Sequence, residues 1–335
     1  NANSTETSMK LRTLGKDGPP VGAVGLGCMS FAGFYGSTDE AESHRTLARA
    51  AELGVTHLDT SNVYGAGLSE NIIGSFLKKY PQRFSIATKT GIVTGPPRSF
   101  NNSKEYMRNS LEESLRRLGV EHVDLFYVHR RDQDIPIEDV TGFMADFVAQ
   151  GKIGGIGFSE IAPSSLRRAA KIHPVRAVQN EYSLWTRIPE LGLIQTCAEL
   201  GVAFVAFSPL ARGMFSDKVP DPAAFSDNDF RRNNPRFNEP NFSYNRDAVQ
   251  KFIDYCQSQG FHPASVALAW VLQQGDHIIA IPGTRTAKHL EQNALAGDLK
   301  LTSEQLDVIE KLLPAGFAHG FRYADKQLFG IEQYC

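Results

Sequence analysis

Eight short runs of β-forming, mostly apolar residues, each followed by an amphipathic stretch, limit what this chain can fold into more than any other feature. They are AVGLGCMSF (23–31), Val55 to Thr60, FSIATKT (84–90), VDLFYVH (123–129), IGGIGFS (153–159), AVQNEY (177–182), VAFVAFS (202–208) and IIAIPG (278–283). They read as apolar runs without alternation, the pattern of parallel strands covered on both faces. The stretches between them read as helices. DEAESHRTLARAAELG (39–54) puts Leu47, Ala51 and Leu53 on one stripe and ends at Gly54. LSENIIGSFLKKY has Ser69 as its expected N-cap, and SKEYMRNSLEESLRRLG is opened by Ser103 and closed by Gly119. IEDVTGFMADFVAQ, SSLRRAAKI, ELGLIQTCAEL, ASVALAWVLQQ and AKHLEQNALA complete the series. The natural closure is an α/β fold, a (β/α)8 TIM barrel. A doubly wound open sheet would place GxGxxG between the first strand and helix, but that position reads GLGCMSFAG.

Around this rhythm, Lys10–Leu14 and Val21-Gly22 flank the turn-forming GKDGPP and predict an N-terminal hairpin. Residues 1–9 read as a flexible leader and 10–335 as one barrel domain, since barrels commonly run to this length as one unit. An irregular segment from about Arg212 to Asn245 follows the seventh strand, as lids and binding loops do. The tail AGFAHGFRYADKQLFGIEQYC is expected over the barrel mouth. A net charge of −2 and a pI of about 6.5 offer no basic field to nucleic acid or an anionic membrane. No apolar run approaches the roughly 18 residues of a membrane span. Cys28, Cys197, Cys256 and Cys335 form no CxxC pair and no metal-ligand spacing with histidine. The expectation is a cytoplasmic protein with a small-molecule partner and no metal; a homo-oligomer is compatible with the sequence and not specified by it.

Chemistry in such a barrel lies at the carboxyl ends of the strands. Asp59 ends the second run with Tyr64 just beyond, Lys89 ends the third and His129 the fourth. Ser159 and Glu160 end the fifth, Gln179 and Asn180 lie along the sixth, Ser208 ends the seventh, and Gly283, Thr284 and Arg285 end the eighth. A lysine buried in SIATK needs a carboxylate, and Asp59 on the adjacent strand is placed to supply it. Read alone, that pair is a structural ion pair, Tyr64 a turn aromatic and His129 a core histidine. A phenol with a pKa near 10 works at neutral pH with help from a nearby cation. Four such groups at one mouth read together as a proton-donating set, which is what reduction of a carbonyl needs.

HLDTSNVYGAGLSENIIG, ATKTG, DLFYVHR, IGFSE, VQNEYSLW, FSPLARG and IPGTRTAKHLEQN resemble, in order, the signature blocks of the aldo-keto reductase superfamily over about residues 10 to 313. GFSE, SPLARGMF and GFRYADKQL look most like its microbial and plant branch, which includes pyridoxal and perakine reductases. The resemblance implies reduction of an aldehyde or ketone to the alcohol by direct hydride transfer from NADPH, which leaves as NADP+. Tyr64 would then be the general acid, Lys89 would lower its pKa, Asp59 would hold Lys89 charged, and His129 would orient the carbonyl oxygen.

The same resemblance implies a dinucleotide lying extended across the mouth. Its contacts would be Gly27, Cys28, Met29 and Asp59, with Ser159 and Gln179 at the carboxamide and Phe207, otherwise a core aromatic, stacked on the ring. Ser208, Pro209, Leu210, Arg212 and Gly213 would meet the pyrophosphate, and Gly283, Thr284, Arg285 and Lys288 the 2′-phosphate. His289, Gln292 and Asn293 match adenine-contacting positions. The chain departs from many relatives at Glu160, where asparagine is usual, and at Gln292, where glutamate often stands. Phe31, Phe34, Arg130, Trp185, Phe237 and Tyr323 are candidates to line the substrate mouth, and Arg130-Arg131 reads either as an anion contact or as a solvated pair. Two alternatives remain: an alcohol or sugar dehydrogenase running the same chemistry oxidatively, and a non-catalytic NADPH-sensing subunit.

Overall fold

Apolar strands bury both faces when helices cover one side and the sheet curls to enclose the other, and this chain does both. The computed structural model describes residues 9–33, 39–81, 83–284 and 286–334. Leader residues 1–8, Phe34, Arg285 and Cys335, all singled out above, lie outside the described residues. The barrel strands are β1 (Leu26–Gly27), β2 (His57–Asp59), β3 (Ser85–Thr90), β4 (Leu125–Val128), β5 (Ile156–Ser159), β6 (Val175–Glu181), β7 (Ala203–Phe207) and β8 (Ile278–Ala280). They pair in parallel, in chain order, from β1 to β8. Parallel bridges from Val24 to Ala280 and from Gly27 to Gly283 close the ring. Across that seam the Gly25 N–H donates to Ala280 O at 2.8 Å and the Gly27 N–H to Pro282 O at 3.1 Å.

The helices are α1 (Glu40–Glu52), α2 (Leu68–Lys79), α3 (Lys104–Leu118), α4 (Ile137–Ala149), α5 (Pro163–Ala170), α6 (Leu193–Leu200), α7 (Asn241–Ser258), α8 (Pro263–Leu272), α9 (Ala287–Ala294) and α10 (Ser303–Leu312). Ser103 caps α3 by accepting from the Tyr106 N–H, and left-handed Gly119 ends it. Burial separates two apolar layers. One lies between strands and helices. The other fills the barrel with Ala87, Leu125, Tyr127, Ala177, Ala203, Val205, Ile279 and Ile281.

The hairpin (Leu11–Thr13 paired with Pro20–Gly22) contributes Leu14 and Val21 to that interior. Its Arg12 donates to Leu272 O at 2.8 Å and Gly275 O at 2.7 Å, so the hairpin seals the amino-terminal floor.

Four local expectations change. AVGLGCMSF extends only over Leu26–Gly27 and then turns into a 3-10 helix at Cys28–Ala32. The N-cap of α2 is Gly67, whose φ of 92° only glycine adopts easily. Ser69 lies inside that helix and turns inward, donating to Cys28 O at 2.9 Å, because the tight NVYGAG turn has already started the helix. Beyond Gly213 the segment contains three 3-10 turns, and α7 begins at Asn241, inside the predicted loop. Helix α10, opened by a Thr302–Gln305 capping box, was not among the predicted helices.

Close approach inside the barrel fixes one glycine tightly. A Cβ on Gly157 would stand 2.4 Å from Cδ1 of buried Tyr127. Gly157→Val is therefore expected to lower unfolding free energy by about 1–3 kcal/mol, measured by urea denaturation; an unshifted midpoint would mean that the ring gives way freely.

Candidate active site

Parallel register brings the polar strand ends to one rim. Asp59 stands opposite Gly27 and Ala87, and Lys89 opposite Tyr127. Lys89 has no exposure at all, so its ammonium needs three acceptors inside the protein. It finds them: it donates to the Asp59 carboxylate, to Thr60 O at 2.7 Å and to the Tyr64 hydroxyl oxygen at 3.4 Å. The second Asp59 oxygen accepts from Gln179 Nε2 at 2.8 Å, which ties β6 to the same cluster.

Tyr64, in the turn before α2, accepts from Lys89. His129, directly after β4, meets the Tyr64 ring edge-on at 6.0 Å between centroids. Its Nδ1 shares a hydrogen bond of 3.2 Å with Ser61 Oγ, which leaves Nε2 as the nitrogen to meet a carbonyl oxygen. The structure thus brings all four predicted residues together and adds two that the sequence reading missed, Ser61 and the Thr60 carbonyl. Both sit in DTSN immediately after Asp59.

Burial decides the protonation states. It raises the Tyr64 phenol above its usual range, and the opposing pull of Lys89 does not cancel that rise. Lys89 pulls this pKa down, as expected, but only limits a larger rise caused by desolvation. Burial alone would depress Lys89, but Asp59 and Tyr64 outweigh it and hold the ammonium charged. Burial, then Arg130, Lys89 and Arg98, press His129 well below the usual histidine range, so its imidazole is neutral. A protonated phenol, a fixed ammonium and a neutral imidazole converge on one point.

The remaining candidates divide. Ser159 ends β5, and its Oγ accepts from Arg130 Nη1 at 3.1 Å. Gly27, Met29 and Phe207 are partly exposed at the rim, whereas Cys28 is fully buried. After β7 the chain reverses through left-handed backbone at Ser208, Ala211, Arg212 and Gly213, with Pro209 and Leu210 between. Such turns aim successive N–H groups the same way, as anion sites do. Arg212, expected at a pyrophosphate, is drawn inward: it pairs with Glu181 at 3.2 Å and lies between the Phe230 and Tyr323 rings.

Gly283 is exposed and Thr284 buried. Thr286 caps α9, on which Lys288 and His289 are exposed and Asn293 is buried. Gln292 donates to Asp217 at 3.3 Å. Phe31, Trp185 and Phe237 pack into the buried core, and Tyr323 is nearly buried beneath Arg212 and Arg322.

Glu160, the departure noted in the sequence, receives Arg322 of the tail, which donates to its Oε1 at 3.0 Å. Arg322 also reaches Glu181 at 3.3 Å. Farther along, the Glu332 N–H donates to Glu160 O at 3.0 Å, and a Glu332 side-chain oxygen accepts from the Ala162 N–H at 2.8 Å. The tail is thereby fixed across the ends of β5 and β6.

The depressed histidines have a consequence for stability. Burial also lowers His57. Below about pH 6.5 the unfolded chain takes up protons that folded His57 and His129 refuse. Their contribution is complete above that pH and is lost as pH falls, by up to about 1.4 kcal/mol per pH unit for each histidine. Urea unfolding at pH 7.5 and 5.5 should show the loss, and His129→Asn should reduce the slope; an equal slope in the variant would exclude His129 as a source.

Comparison with known proteins agrees with this geometry. The sequence model described as the Aldo/keto reductase family matches residues 23–314. The chain is 38% identical over 328 residues to a probable aldo-keto reductase 1 of Glycine max, covering 95% of this chain and 93% of that one. It is 38% identical over 324 residues to the aldo-keto reductase yakc [NADP(+)] of Schizosaccharomyces pombe, covering 94% and 95%. Among solved structures, the glycerol dehydrogenase AKR11B4 of Gluconobacter oxydans superposes with a TM-score of 0.82 at 28% identity, covering 91% of this chain and 95% of that one. The aldo-keto reductase AKR11C1 of Bacillus halodurans gives 0.75 at 26%, covering 95% and 99%. With the barrel, the four converging groups and these likenesses together, the chain belongs to the aldo/keto reductase family.

Proposed function

We propose that this protein is an NADP(H)-dependent oxidoreductase that reduces an aldehyde or ketone to the alcohol, with Tyr64 as the general acid. The observation that carries the reading is the fully buried Lys89, whose three hydrogen bonds fix Asp59, Thr60 O and Tyr64 in one arrangement. NADPH, when bound, supplies the hydride that reaches the carbonyl carbon. The name of the Schizosaccharomyces pombe relative supports that cofactor. The donor set at the rim fits it: Ser159 and Gln179 offer hydrogen-bonding side chains, and the left-handed turn at Ser208–Gly213 offers backbone N–H groups.

The residues divide the proton work. Tyr64 gives its hydroxyl proton to the carbonyl oxygen as negative charge develops there. Lys89, held by Asp59, stabilises the phenolate that remains. Neutral His129, oriented by Ser61, donates from Nε2 to the same oxygen and aligns it. Run backwards, the same phenolate accepts a proton from an alcohol, and the cofactor ratio sets the direction. Buried free thiols at Cys28, Cys197 and Cys256 support a reducing, cytoplasmic setting as part of the proposal.

Tyr64→Phe is expected to leave NADPH binding, followed by fluorescence, nearly intact while reducing turnover on a panel of aldehydes and ketones by about 10²–10⁴-fold. Retention of most activity would refute the assignment. Lys89→Met should be similarly damaging, because it removes the cation beside Tyr64 and strands the Asp59 carboxylate. Normal turnover with an unchanged pH profile in that variant would remove Lys89 from the mechanism.

A further inference from the structure

Arg130 is only 7% exposed, yet among the described residues it has no carboxylate within salt-bridge distance. From Nη1 it donates to two neutral acceptors, His129 O at 2.7 Å and Ser159 Oγ at 3.1 Å. Other buried arginines are provided for differently. Arg131 faces Glu332 at 3.6 Å, Arg212 faces Glu181, and Arg12 faces Asp276 at 3.8 Å. Arg236 likewise has no carboxylate within salt-bridge distance among the described residues, but it spends its donors on three neutral acceptors, Trp185 O, Thr186 Oγ1 and Gly320 O. A buried guanidinium without an anion is costly and needs a reason.

A second cation makes the pattern sharper. Arg98 stands exposed on the loop after β3, over the Phe100 ring at 5.4 Å, and lies near enough to Arg130 for the two charges to oppose each other. Both arginines bias the ionisation of His129, and Arg130 also that of Tyr64. Arg130 adjoins His129 and donates to its carbonyl, so a cation stands beside the reacting groups, with Arg98 opposing it from the loop after β3, in a chain whose net charge is −2. The nearby carboxylates do not relieve them: Glu160 and Glu181 are engaged by Arg322 and Arg212, and Glu332 lies beside Arg131.

We infer that the mouth selects a carbonyl substrate bearing a carboxylate, which Arg130 binds through its remaining guanidinium donors and Arg98 attracts and covers. This rests on the reductase reading above and adds the chemical class of its substrate. A guanidinium fork matches a carboxylate in shape, and the surrounding low dielectric strengthens the pairing. The uncompensated pair also raises the local concentration of anionic molecules at the rim.

The test compares 4-carboxybenzaldehyde with 4-formylbenzamide, whose planar carboxamide nearly matches the carboxylate in shape without the charge. The wild-type enzyme is expected to favour the carboxylate in kcat/KM, with the advantage shrinking as ionic strength rises. In Arg130→Gln and Arg98→Gln the ratio of the two kcat/KM values should fall by about ten- to a hundredfold for Arg130 and less for the exposed Arg98. Calorimetric binding of benzoate, benzamide and phenyl phosphate to the NADP+-loaded protein supplies a readout independent of turnover.

Benzoate binding that weakens in Arg130→Gln supports the site even if no aldehyde is reduced, in which case the reductase reading alone fails. Equal kcat/KM for the two aldehydes in the wild type would overturn the inference. So would an unchanged ratio in both variants, or tighter binding of phenyl phosphate than of benzoate.

Discussion

A lysine ammonium sealed inside a barrel is the constraint from which the rest of the site follows. Lys89 cannot be hydrated, so each of its three N–H groups must end on a protein oxygen. The three it finds come from the end of β2, the backbone just beyond it and the turn before α2. Asp59 is in turn held by Gln179 from β6, far around the ring. Strand register, turn geometry and ring closure must therefore all be correct for one charge to be satisfied. That dependence explains how a half-buried tyrosine is held steadily enough to act as an acid: its oxygen is one of the ammonium's required acceptors.

The parts legible in the sequence were those with short-range causes. Strands buried on both faces leave unbroken apolar runs, and the eight runs mark the eight strands. Asp59, Lys89 and His129 stood out because each interrupts or ends such a run with a group that has no reason to be there. Helix α7 was legible in principle: Phe242, Asn245, Val249, Phe252, Ile253 and Cys256 make a helical stripe, but polar Asn245 and the irregular chain before it obscured the start. Ser61 was overlooked because its partner, His129, lies on another strand and nothing in DTSN announces it. Partners 162 residues apart, such as Glu160 and Arg322, leave no local trace. The direction of the Tyr64 shift was hidden for a similar reason, since it depends on how much water the finished fold excludes.

Charge is distributed around the mouth with a clear division. On the β5–β6 side, Glu160 and Glu181 are matched by Arg322 and Arg212, so that side is electrically quiet. On the β4 side, Arg130 has no carboxylate within salt-bridge distance among the described residues, and exposed Arg98 opposes it from the loop after β3. The same arginines help keep His129 neutral, so the field that suits an incoming anion also preserves the imidazole as a hydrogen-bond donor without net charge.

The tail that carries Arg322 and Glu332 has a bearing on how the molecule is assembled. Strands β5 and β6 are synthesised long before residue 322, yet the carboxylates of Glu160 and Glu181 have their strongest shared partner only in that arginine. Until Arg322 has been made, Glu160 lacks its cation while Glu181 already has Arg212, and water must remain at the rim to solvate the uncompensated carboxylate. Drying of the mouth on that side is thus deferred until residue 322 has been made, after the eight strands of the barrel beneath it.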